Sequence, residues 1–425
     1  MSRKMRIADS ATSVVVLKLF SHCGVGIMRS LGRLGIPVYG IDADPRNPGL
    51  HSRYCRGRFV WDVEKSSPSE TIRFLRDTAS KIGGRPILIS NGDVPSLFLA
   101  DHAPELEDSF SIQASPGTLV KSLSDKKEMY FLARRHGVPT AETIFPQSLA
   151  DVDNFLSAGR AQFPIMLKGI NSALLQERTG MRMLIVRTPE ELLAQYLRLE
   201  DSLNPNLMLQ EYIPGDDSSV WMFNGYFNDR SDCLFGLTGR KLRQYPVYTG
   251  MTSLGICLGN EVVDQTTREF MKKIFYRGIL DIGYRFDARD GKYKLLDINP
   301  RIGATFRLFL DTNGLDVIRA LYLDLTGQSV SQSSSCEGRK WLVEDNDIIS
   351  FFNYRQDGKI TWFQWLRSFG GVRECAWFAS DDWRPFLLMF SRFLRYALGS
   401  LAKRLGLRSA HPVSEVPAIR TANHT

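Results

Sequence analysis

The sequence predicts an α/β and α+β protein, in which an N-terminal doubly wound α/β domain precedes a larger mixed region and a small C-terminal extension. Two observations support this fold class. Residues 13–42 read as strand, glycine turn, amphipathic helix and strand, which is a βαβ unit. Residues 283–307 read as two strands joined at Arg289-Asp290-Gly291, because Asp-Gly between apolar runs is the strongest short hairpin signal.

Length and composition are those of a globular protein. The 425 residues suffice for two or three domains, and 43% hydrophobic with 24% charged residues excludes a disordered chain. The net charge of +8 favours an anionic partner, which is a nucleotide, a nucleic acid or a membrane surface.

Cysteine usage and the N-terminus predict an intracellular protein. The six cysteines include no CxxC pair and have no metal-ligand spacing to the six histidines, so no structural zinc site is expected. Residues 1–9 are polar, and the apolar run at 14–19 is short and contains Lys18, unlike a signal peptide. No apolar run approaches the ~20 residues that cross a bilayer. We therefore expect a cytoplasmic location and reduced thiols.

The first βαβ unit does not complete a dinucleotide-binding motif. After the glycines of residues 21–26, Arg29 stands where the third glycine of GxGxxG would fall, so a tight turn is favoured over a dinucleotide site ending at Asp42. A further strand at residues 86–90 runs into Asn91-Gly92-Asp93. That tripeptide would contact a substrate at the carboxyl edge of the sheet, or cap the next helix.

The next segments each contain a candidate phosphate-binding lysine. A helix is predicted with Asp125 as its N-cap and its end at Gly137. Lys126 lies in its first turn, where the helix dipole disfavours a cation, which indicates either a phosphate ligand or a solvated lysine. Lys168 ends a buried-type strand at 163–168, as an edge lysine or a second phosphate ligand. Residues 169–180 are predicted as a flexible flap before a strand at 181–186.

Two later strands end in polar residues. The strand at 207–213 runs into a turn, where Gln210 and Glu211 would present polar groups to an adenine edge. After alternating strands at 219–227 and 233–237, Arg240 and Lys241 open a run of cations. These two residues would form a clamp for phosphate or carboxylate, or a solvated strand edge.

The hairpin carries a metal-binding pattern. Asp297 and Asn299 are two residues apart on the second strand, so their side chains share one face. Arg301 follows directly after Pro300, which stops the ladder. Two hard oxygen ligands beside a guanidinium suit Mg2+ and a phosphate, although an ordinary polar hairpin has the same pattern.

The order of these segments resembles the ATP-grasp enzymes, above all the carboxylate–amine ligase branch that includes biotin carboxylase and the carbamoyl-phosphate synthetase-like proteins. The resemblance covers about residues 10–325. It implies an α/β domain at 10–120 and a two-subdomain ATP-grasp fold at 121–327. In that family the flap-bearing subdomain, here about 125–215, and the metal-bearing subdomain, here about 216–327, clamp ATP between them.

The resemblance also assigns roles to single residues. Lys126 and Lys168 resemble the two lysines that bind ATP phosphates, and Gln210 resembles the partner of the adenine amino group. Glu211 and Ile213 resemble the hinge residues that bind adenine through their backbone.

The remaining roles concern the metal and the transferred phosphate. Asp297 and Asn299 resemble the metal ligands, Arg301 resembles the phosphate-side arginine, and Arg240 with Lys241 would hold the transferring phosphate. Two features depart from the family: residues 169–174 are not glycine-rich, and residues 283–285 supply no acidic partner for Asp297. Asp287 or Asp281 would have to replace that carboxylate.

The activity implied by the resemblance is an ATP-dependent carboxylate–amine ligase that forms an acyl phosphate with Mg2+-ATP, or with Mn2+ in place of Mg2+. Its partners would be a small carboxylate and an amine, with no nucleic acid. An ATP-binding protein that has kept the fold and lost turnover is the alternative, motivated by the absent carboxylate. A nicotinamide-dependent oxidoreductase is disfavoured by the incomplete glycine pattern.

The C-terminal extension, residues 338–425, follows a serine-rich linker at 329–336. Residues 341–377 are predicted as aromatic-rich strands with a turn at Gln356-Asp357-Gly358, and 411–425 as a disordered tail. Residues 383–405 combine apolar residues, basic residues and a tryptophan, which is typical of a helix lying on a membrane, here its inner face. Docking against the body of the protein, or against a second copy in a homodimer, is the other interpretation.

Overall fold

The computed structural model describes residues 5–159, 161–181, 183–331 and 336–404. Within these residues the chain forms two compact units. The first contains residues 5–121, 216–283 and 298–404, and the second contains residues 122–215 and 284–297. The domain boundaries predicted near residues 120, 327 and 338 stay predictions.

The first unit begins with a parallel four-stranded sheet. Its elements are β1 Val14–Leu17, α1 Ser21–Gly32, β2 Val38–Asp42, β3 Cys55–Val60, α2 Pro68–Ile82, β4 Ile87–Ser90, α3 Asp93–Leu106 and α4 Gly117–Ser124, with a 3-10 helix at Pro48–His51. The strand order is β3-β2-β1-β4, with every pair parallel. The predicted doubly wound domain is confirmed. Its switch point lies between β1 and β4, whose carboxyl ends flank the crevice where ligands bind in such sheets.

The predicted glycine turn after β1 is wrong, because its glycines lie inside α1. The turn is made by Lys18 and Ser21, whose φ angles are 69° and 51°. A Cβ on Gly24 would stand 2.8 Å from the Cα of Leu19, so glycine is needed where the helix begins against the end of the strand.

The second unit is a small α/β layer on an antiparallel sheet. Its elements are α5 Lys126–Arg135, β5 Thr143–Ile144, α6 Leu149–Ser157, β6 Ile165–Gly169, α7 Ser172–Thr179, β7 Met183–Val186, α8 Pro189–Leu199 and β8 Leu207–Glu211. The strand order is β5-β8-β6-β7. The predicted cap is confirmed, since the Asp125 side chain accepts from the backbone N–H groups of Lys127 and Glu128, both at 2.9 Å. The segment predicted as a flexible flap instead contains helix α7.

A third sheet has seven strands. Its elements, with the helices between them, are β9 Val220–Phe227, β10 Cys233–Tyr245, β11 Met251–Cys257, α9 Glu261–Lys273, β12 Gly278–Asp287, β13 Lys292–Asn299, α10 Val317–Leu325, β14 Lys340–Leu342, α11 Glu344–Gln356, α12 Trp362–Ser368, β15 Val372–Cys375 and α13 Arg384–Arg404, with 3-10 helices at Asp217–Ser219 and Phe306–Leu308. The strand order is β13-β12-β9-β10-β11-β14-β15. The predicted hairpin is β12 and β13, and its residues 284–297 count with the second unit.

The C-terminal region is more helical than predicted. Instead of continuous strands, residues 341–377 form α11 and α12 between the short strands β14 and β15. The buried side chains of α11 are Asp347, Ser350, Phe351 and Tyr354, which is the three- and four-residue spacing of a helix. The aromatic residues of 341–377 favour strands by propensity, whereas the spacing of the buried residues is that of a helix. The predicted turn is present, because α11 ends at Gln356 and Gly358 has a φ of 64°.

The basic C-terminal segment forms helix α13, and one of its faces packs on the first unit. Met389 is buried in the core, and Phe386 and Phe393 pack against it. Among the residues described here, no helix is both long and apolar enough to cross a bilayer. The predicted disordered tail at 411–425 lies outside the described residues.

A buried ion pair fastens the segment before α13 to the N-terminal helix α1. Arg29 Nε donates to Asp382 Oδ2 at 3.0 Å, and the two side chains are 2% and 0% exposed. Asp382 also accepts from Ser52 Oγ at 2.7 Å and from the backbone N–H of Arg53 at 2.9 Å. The neighbouring Asp381 pairs with Arg33 near the surface, where its side chain is 39% exposed.

Removing the buried carboxylate should destabilise the first unit strongly. Asp382→Ala leaves the Arg29 guanidinium buried without its counter-ion, a loss of about 3–5 kcal/mol. Asp381→Ala removes an ion pair that is partly exposed to solvent, and should lower the free energy of unfolding by about 1 kcal/mol or less. Urea unfolding followed by circular dichroism checks the difference. Equal shifts of the two midpoints would contradict this reading of the buried pair.

Candidate functional site

A pocket in the second unit is lined by two of the predicted nucleotide-binding residues, Lys126 and Gln210, and by their neighbours. Lys126 and Gln210 stand at its polar side, and Met208 with Leu295 supplies apolar surface. The Lys126 Nζ donates to the backbone oxygen of Gly169 at 2.9 Å. Apolar walls with a few polar groups that fix orientation are typical of small-molecule sites.

Lys168 belongs to the same unit and is linked to the pocket through Gln210. Its Nζ donates to Gln210 Oε1 at 2.7 Å, and Gln210 Nε2 donates to Thr143 Oγ1 at 3.1 Å. Burial lowers the pKa of Lys168 to about 8, and the positive charge of Lys126 acts in the same direction. The carboxylate of Asp297 opposes these effects. Two lysines thus repel each other where a phosphate chain would supply the missing negative charge.

The predicted hinge is held by a cluster of charges around Glu211. Lys294 Nζ donates to Asp287 Oδ2 at 2.7 Å and to Glu211 Oε2 at 3.2 Å. Arg289 Nε donates to Asp287 Oδ1 at 2.8 Å. Hydrogen bonds from Arg289, more than its other contacts, hold the pKa of Asp287 well below its usual range. Ile213, which follows the cluster, is buried.

This pairing bears on the metal ligand predicted at Asp287. Its carboxylate is 1% exposed and already bound by two cations, Arg289 and Lys294. Asp287 therefore fits the role of a structural anion that orders the hairpin turn better than that of a metal ligand. Asp281, the other aspartate considered for the role, accepts a hydrogen bond from Asn299.

Asp281, Asn299 and Arg301 form a connected set in the first unit. Asn299 Nδ2 donates to Asp281 Oδ2 at 3.3 Å, and Arg301 Nη2 donates to Asn299 Oδ1 at 3.2 Å. The Arg301 Nε also donates to Asp93, at the start of α3. A Cβ on Gly303 would come within 2.4 Å of Asp281 Cγ, so glycine lets the chain pass directly against this carboxylate.

These residues fit a divalent cation of the Mg2+ type. Buried Asn224, on β9, donates through Nδ2 to Asp281 Oδ1 at 3.5 Å, while its own Oδ1 has no hydrogen-bond partner within the described ranges. Asp297 is exposed on the same strand as Asn299. No group of three His, Cys, Asp or Glu side chains suited to a metal ion occurs in the part of the chain that the structure describes. Mg2+ does not need one, because it usually takes one or two carboxylates plus phosphates and water.

Arg240 and Lys241 lie on β10, two strands away from β12 in the sheet. The Arg240 guanidinium lies 5.8 Å from the ring centroid of Trp221, and Lys241 Nζ donates to the backbone oxygen of Gly250 at 2.9 Å. The strand is irregular just beyond them, with register shifts between Lys241 and Gln244. Both residues thus have fixed positions in the first unit, and their contact with phosphate stays a prediction.

Sequence reasoning missed Asn224 and the role of Lys294. The signal for Asn224 was present, since it is the only amide in the apolar strand VWMFNGYF and is fully buried. Lys294 carried a weaker signal, as a lysine within the strand KYKLLDIN, where period-two alternation places it on the same face as Leu296.

Comparisons with known proteins agree with this architecture. No protein-family model matches the sequence. The chain is 27% identical over 303 residues to the D-aspartate ligase of Enterococcus faecium (strain Aus0004), covering 68% of this chain and 72% of that protein. The L-amino acid ligase of Bacillus licheniformis has a TM-score of 0.57 at 13% identity and covers 78% of this chain and 79% of its own.

A third comparison includes a bound nucleotide. The biotin carboxylase domain of the Hydrogenobacter thermophilus 2-oxoglutarate carboxylase, in complex with MgADP, has a TM-score of 0.58 at 14% identity and covers 77% of this chain and 72% of its own. The fold is thus that of the ATP-grasp superfamily, and the predicted resemblance to its carboxylate–amine ligases is confirmed. Two of these proteins are ligases and the third was solved with MgADP, which agrees with the predicted ligase class and with the predicted cofactors ATP and Mg2+.

The predicted contact between Lys168 and a phosphate of ATP would make nucleotide binding dependent on pH. The lysine is charged below about pH 8 and loses its proton as the pH rises through that value. ATP affinity should therefore be highest below pH 8 and fall several-fold by about pH 9.5. Lys168→Arg should remove this fall, because arginine stays protonated. Isothermal titration calorimetry between pH 6.5 and 9.5 compares the two proteins, and an identical decline in both would contradict the assignment.

Proposed function

We propose that this protein is an ATP-dependent ligase that joins a carboxylate to an amine through an acyl phosphate. The observation that carries the proposal is the second unit's pocket, where Lys126 and Gln210 stand beside apolar side chains and Lys168 donates to Gln210. The sequence relationship to a D-aspartate ligase supports it. The pocket would hold adenine, and Lys126 with Lys168 would supply two cations for the phosphate chain, which are the requirements of ATP binding.

The chemistry needs positioning and charge neutralisation more than a protein nucleophile. A carboxylate oxygen of the substrate attacks the γ-phosphorus of ATP, and the bond to the bridging oxygen of ADP breaks. The amine nitrogen then attacks the carbonyl carbon, inorganic phosphate leaves, and the nitrogen loses a proton. The buried thiol of Cys23 takes no part as a nucleophile, because burial raises its pKa to about 12.

Each candidate residue has a role in this scheme. Lys126 and Lys168 hold the phosphates of ATP, and Gln210 with the backbone of Glu211 and Ile213 holds the adenine. Asp297, Asn299 and Asp281 would hold Mg2+, which when bound neutralises charge on the phosphate oxygens.

The residues of the first unit act on the transferred group. Arg301 is oriented by Asn299 and Asp93. Its guanidinium would stabilise the negative charge that builds on the transferring phosphate, and Arg240 with Lys241 would add to that charge.

The proposed substrates are amino acids. The relatives reported above include a D-aspartate ligase and an L-amino acid ligase, and both names describe activity on an amino acid. An amino acid can serve as the carboxylate that is phosphorylated or as the amine that attacks the acyl phosphate. A panel of D- and L-amino acids therefore tests both positions.

Hydroxylamine trapping tests the acyl phosphate directly. The purified protein with ATP, Mg2+, hydroxylamine and the correct carboxylate should release hydroxamate and ADP in equal amounts. Asp297→Asn should lower the rate by about two orders of magnitude through loss of a metal-binding charge. Asp290→Asn, in the exposed turn of the same hairpin, is the matched control and should keep the wild-type rate.

The alternative is an ATP-binding protein without turnover. It is favoured by one observation, the absence of an acidic residue at positions 283–285, where the resemblance expects a metal carboxylate. ATP binding by calorimetry without hydroxamate or ADP across carboxylates and amines of all tested classes would support that alternative and overturn the ligase proposal.

A further inference from the structure

The last helix of the structure presents an apolar stripe to solvent in addition to its buried face. Leu387, Phe390, Leu394 and Leu398 on α13 are 51%, 44%, 43% and 63% exposed. At about 100° per residue, these four positions fall within about 80° of the helix circumference. Trp383, immediately before the helix, is 51% exposed.

The stripe is separate from the face that docks on the protein. The docked face is formed by Phe386, Met389 and Phe393, which pack into the core of the first unit. Arg392 fixes the helix from the side, because its Nη2 donates to Asp44 Oδ2 at 2.8 Å. The helix is therefore held in place while four large apolar side chains stay in water, which is unusual for a surface that has no binding role.

The charged residues in the sequence of α13 are all basic. Arg384 and Arg395 lie on the edge of the stripe that is farther from the docked face, and both are exposed. The sequence has no acidic residue between Asp382 and Glu415, while Lys403 and Arg404 extend the basic character. A row of cations beside an exposed apolar stripe complements a surface whose outer layer is anionic and whose interior is apolar.

We propose that α13 binds the surface of a membrane that contains anionic phospholipids. The stripe would enter the region between headgroups and acyl chains, and Arg384 and Arg395 would contact the phosphates. Trp383 would lie at the headgroup level, where tryptophan is enriched. The helix would lie in the plane of the membrane, in agreement with the lack of a spanning helix among the described residues. This inference does not depend on the ligase activity.

Vesicle co-sedimentation of the full-length protein tests the proposal. The wild-type protein should sediment with phosphatidylglycerol-containing vesicles and much less with pure phosphatidylcholine vesicles. Leu394→Glu should lower the bound fraction about fivefold or more. Leu203→Glu is the matched control, because Leu203 is a leucine of the second unit with 87% exposure, and it should bind like wild type.

A second variant separates the contribution of charge. Arg384→Gln with Arg395→Gln should abolish the preference for anionic vesicles, and raising the salt to about 0.5 M should weaken wild-type binding by screening. Equal wild-type binding to both vesicle types would overturn the anionic assignment.

The competing occupant of the stripe is a second copy of the chain. Sedimentation velocity without lipid distinguishes it from a membrane. If the wild-type protein binds no vesicles and forms a dimer that Leu394→Glu dissociates, the stripe is a subunit interface and the membrane proposal is wrong. A monomer that binds neither vesicle type also overturns it.

Discussion

The buried charge network around Arg307 is the constraint on which the first unit depends. Arg307 Nη2 donates to Glu374 Oε2 at 2.8 Å, and Arg339 donates to the same oxygen at 2.6 Å. Arg307 also pairs with Asp316, which accepts from Ser30 Oγ at 2.6 Å as well. Burial acts to raise the pKa of Glu374, but the arginines outweigh it and lower that pKa to about 2. Glu374 is therefore charged at neutral pH, and it needs its arginines, because an unpaired buried charge costs about 3–5 kcal/mol.

The network joins parts of the chain that are far apart in sequence. Ser30 lies on α1, Asp316 caps α10, and Glu374 lies on β15, the last strand of the seven-stranded sheet. The C-terminal segment therefore completes the sheet and the core of the first unit, so it is a part of this unit as well as an extension of the ATP-grasp region. The segment that links Asn299 to Arg307 is held at both ends, by β13 and by the network. This explains how Arg301 keeps one orientation toward Asp93 although no strand or helix contains it.

Local patterns could be predicted from the sequence, whereas partners across the fold could not. The hairpin, the Asp125 cap and the shared face of Asp297 and Asn299 depend on residues within a few positions of one another. The partner of Arg301, by contrast, lies 208 positions away at Asp93. The cations that occupy Asp287 come from its own hairpin, but only the fold shows that they also bind Glu211 and bury the carboxylate. The buried positions of α11 have the spacing of a helix, but its aromatic residues are also common in strands. Local sequence therefore left both structures open, and tertiary packing favours the helix.

Two lysines of the second unit, Lys168 and Lys294, differ in how far the protein compensates their positive charge. Lys168 and Lys294 are both withdrawn from solvent, and burial alone lowers the pKa of each. For Lys294, hydrogen bonds to Asp287 and Glu211 outweigh burial, so its pKa is raised and its charge is already compensated in the protein. Lys168 donates to the neutral amide oxygen of Gln210 and is repelled by the charge of Lys126. The carboxylate of Asp297 compensates its charge only in part. A polyphosphate bound at the predicted site would relieve that repulsion and raise the pKa of Lys168, and this rise would contribute to affinity. Lys294 offers no such gain in affinity, because an anion could bind it only by replacing its hydrogen bonds to Asp287 and Glu211.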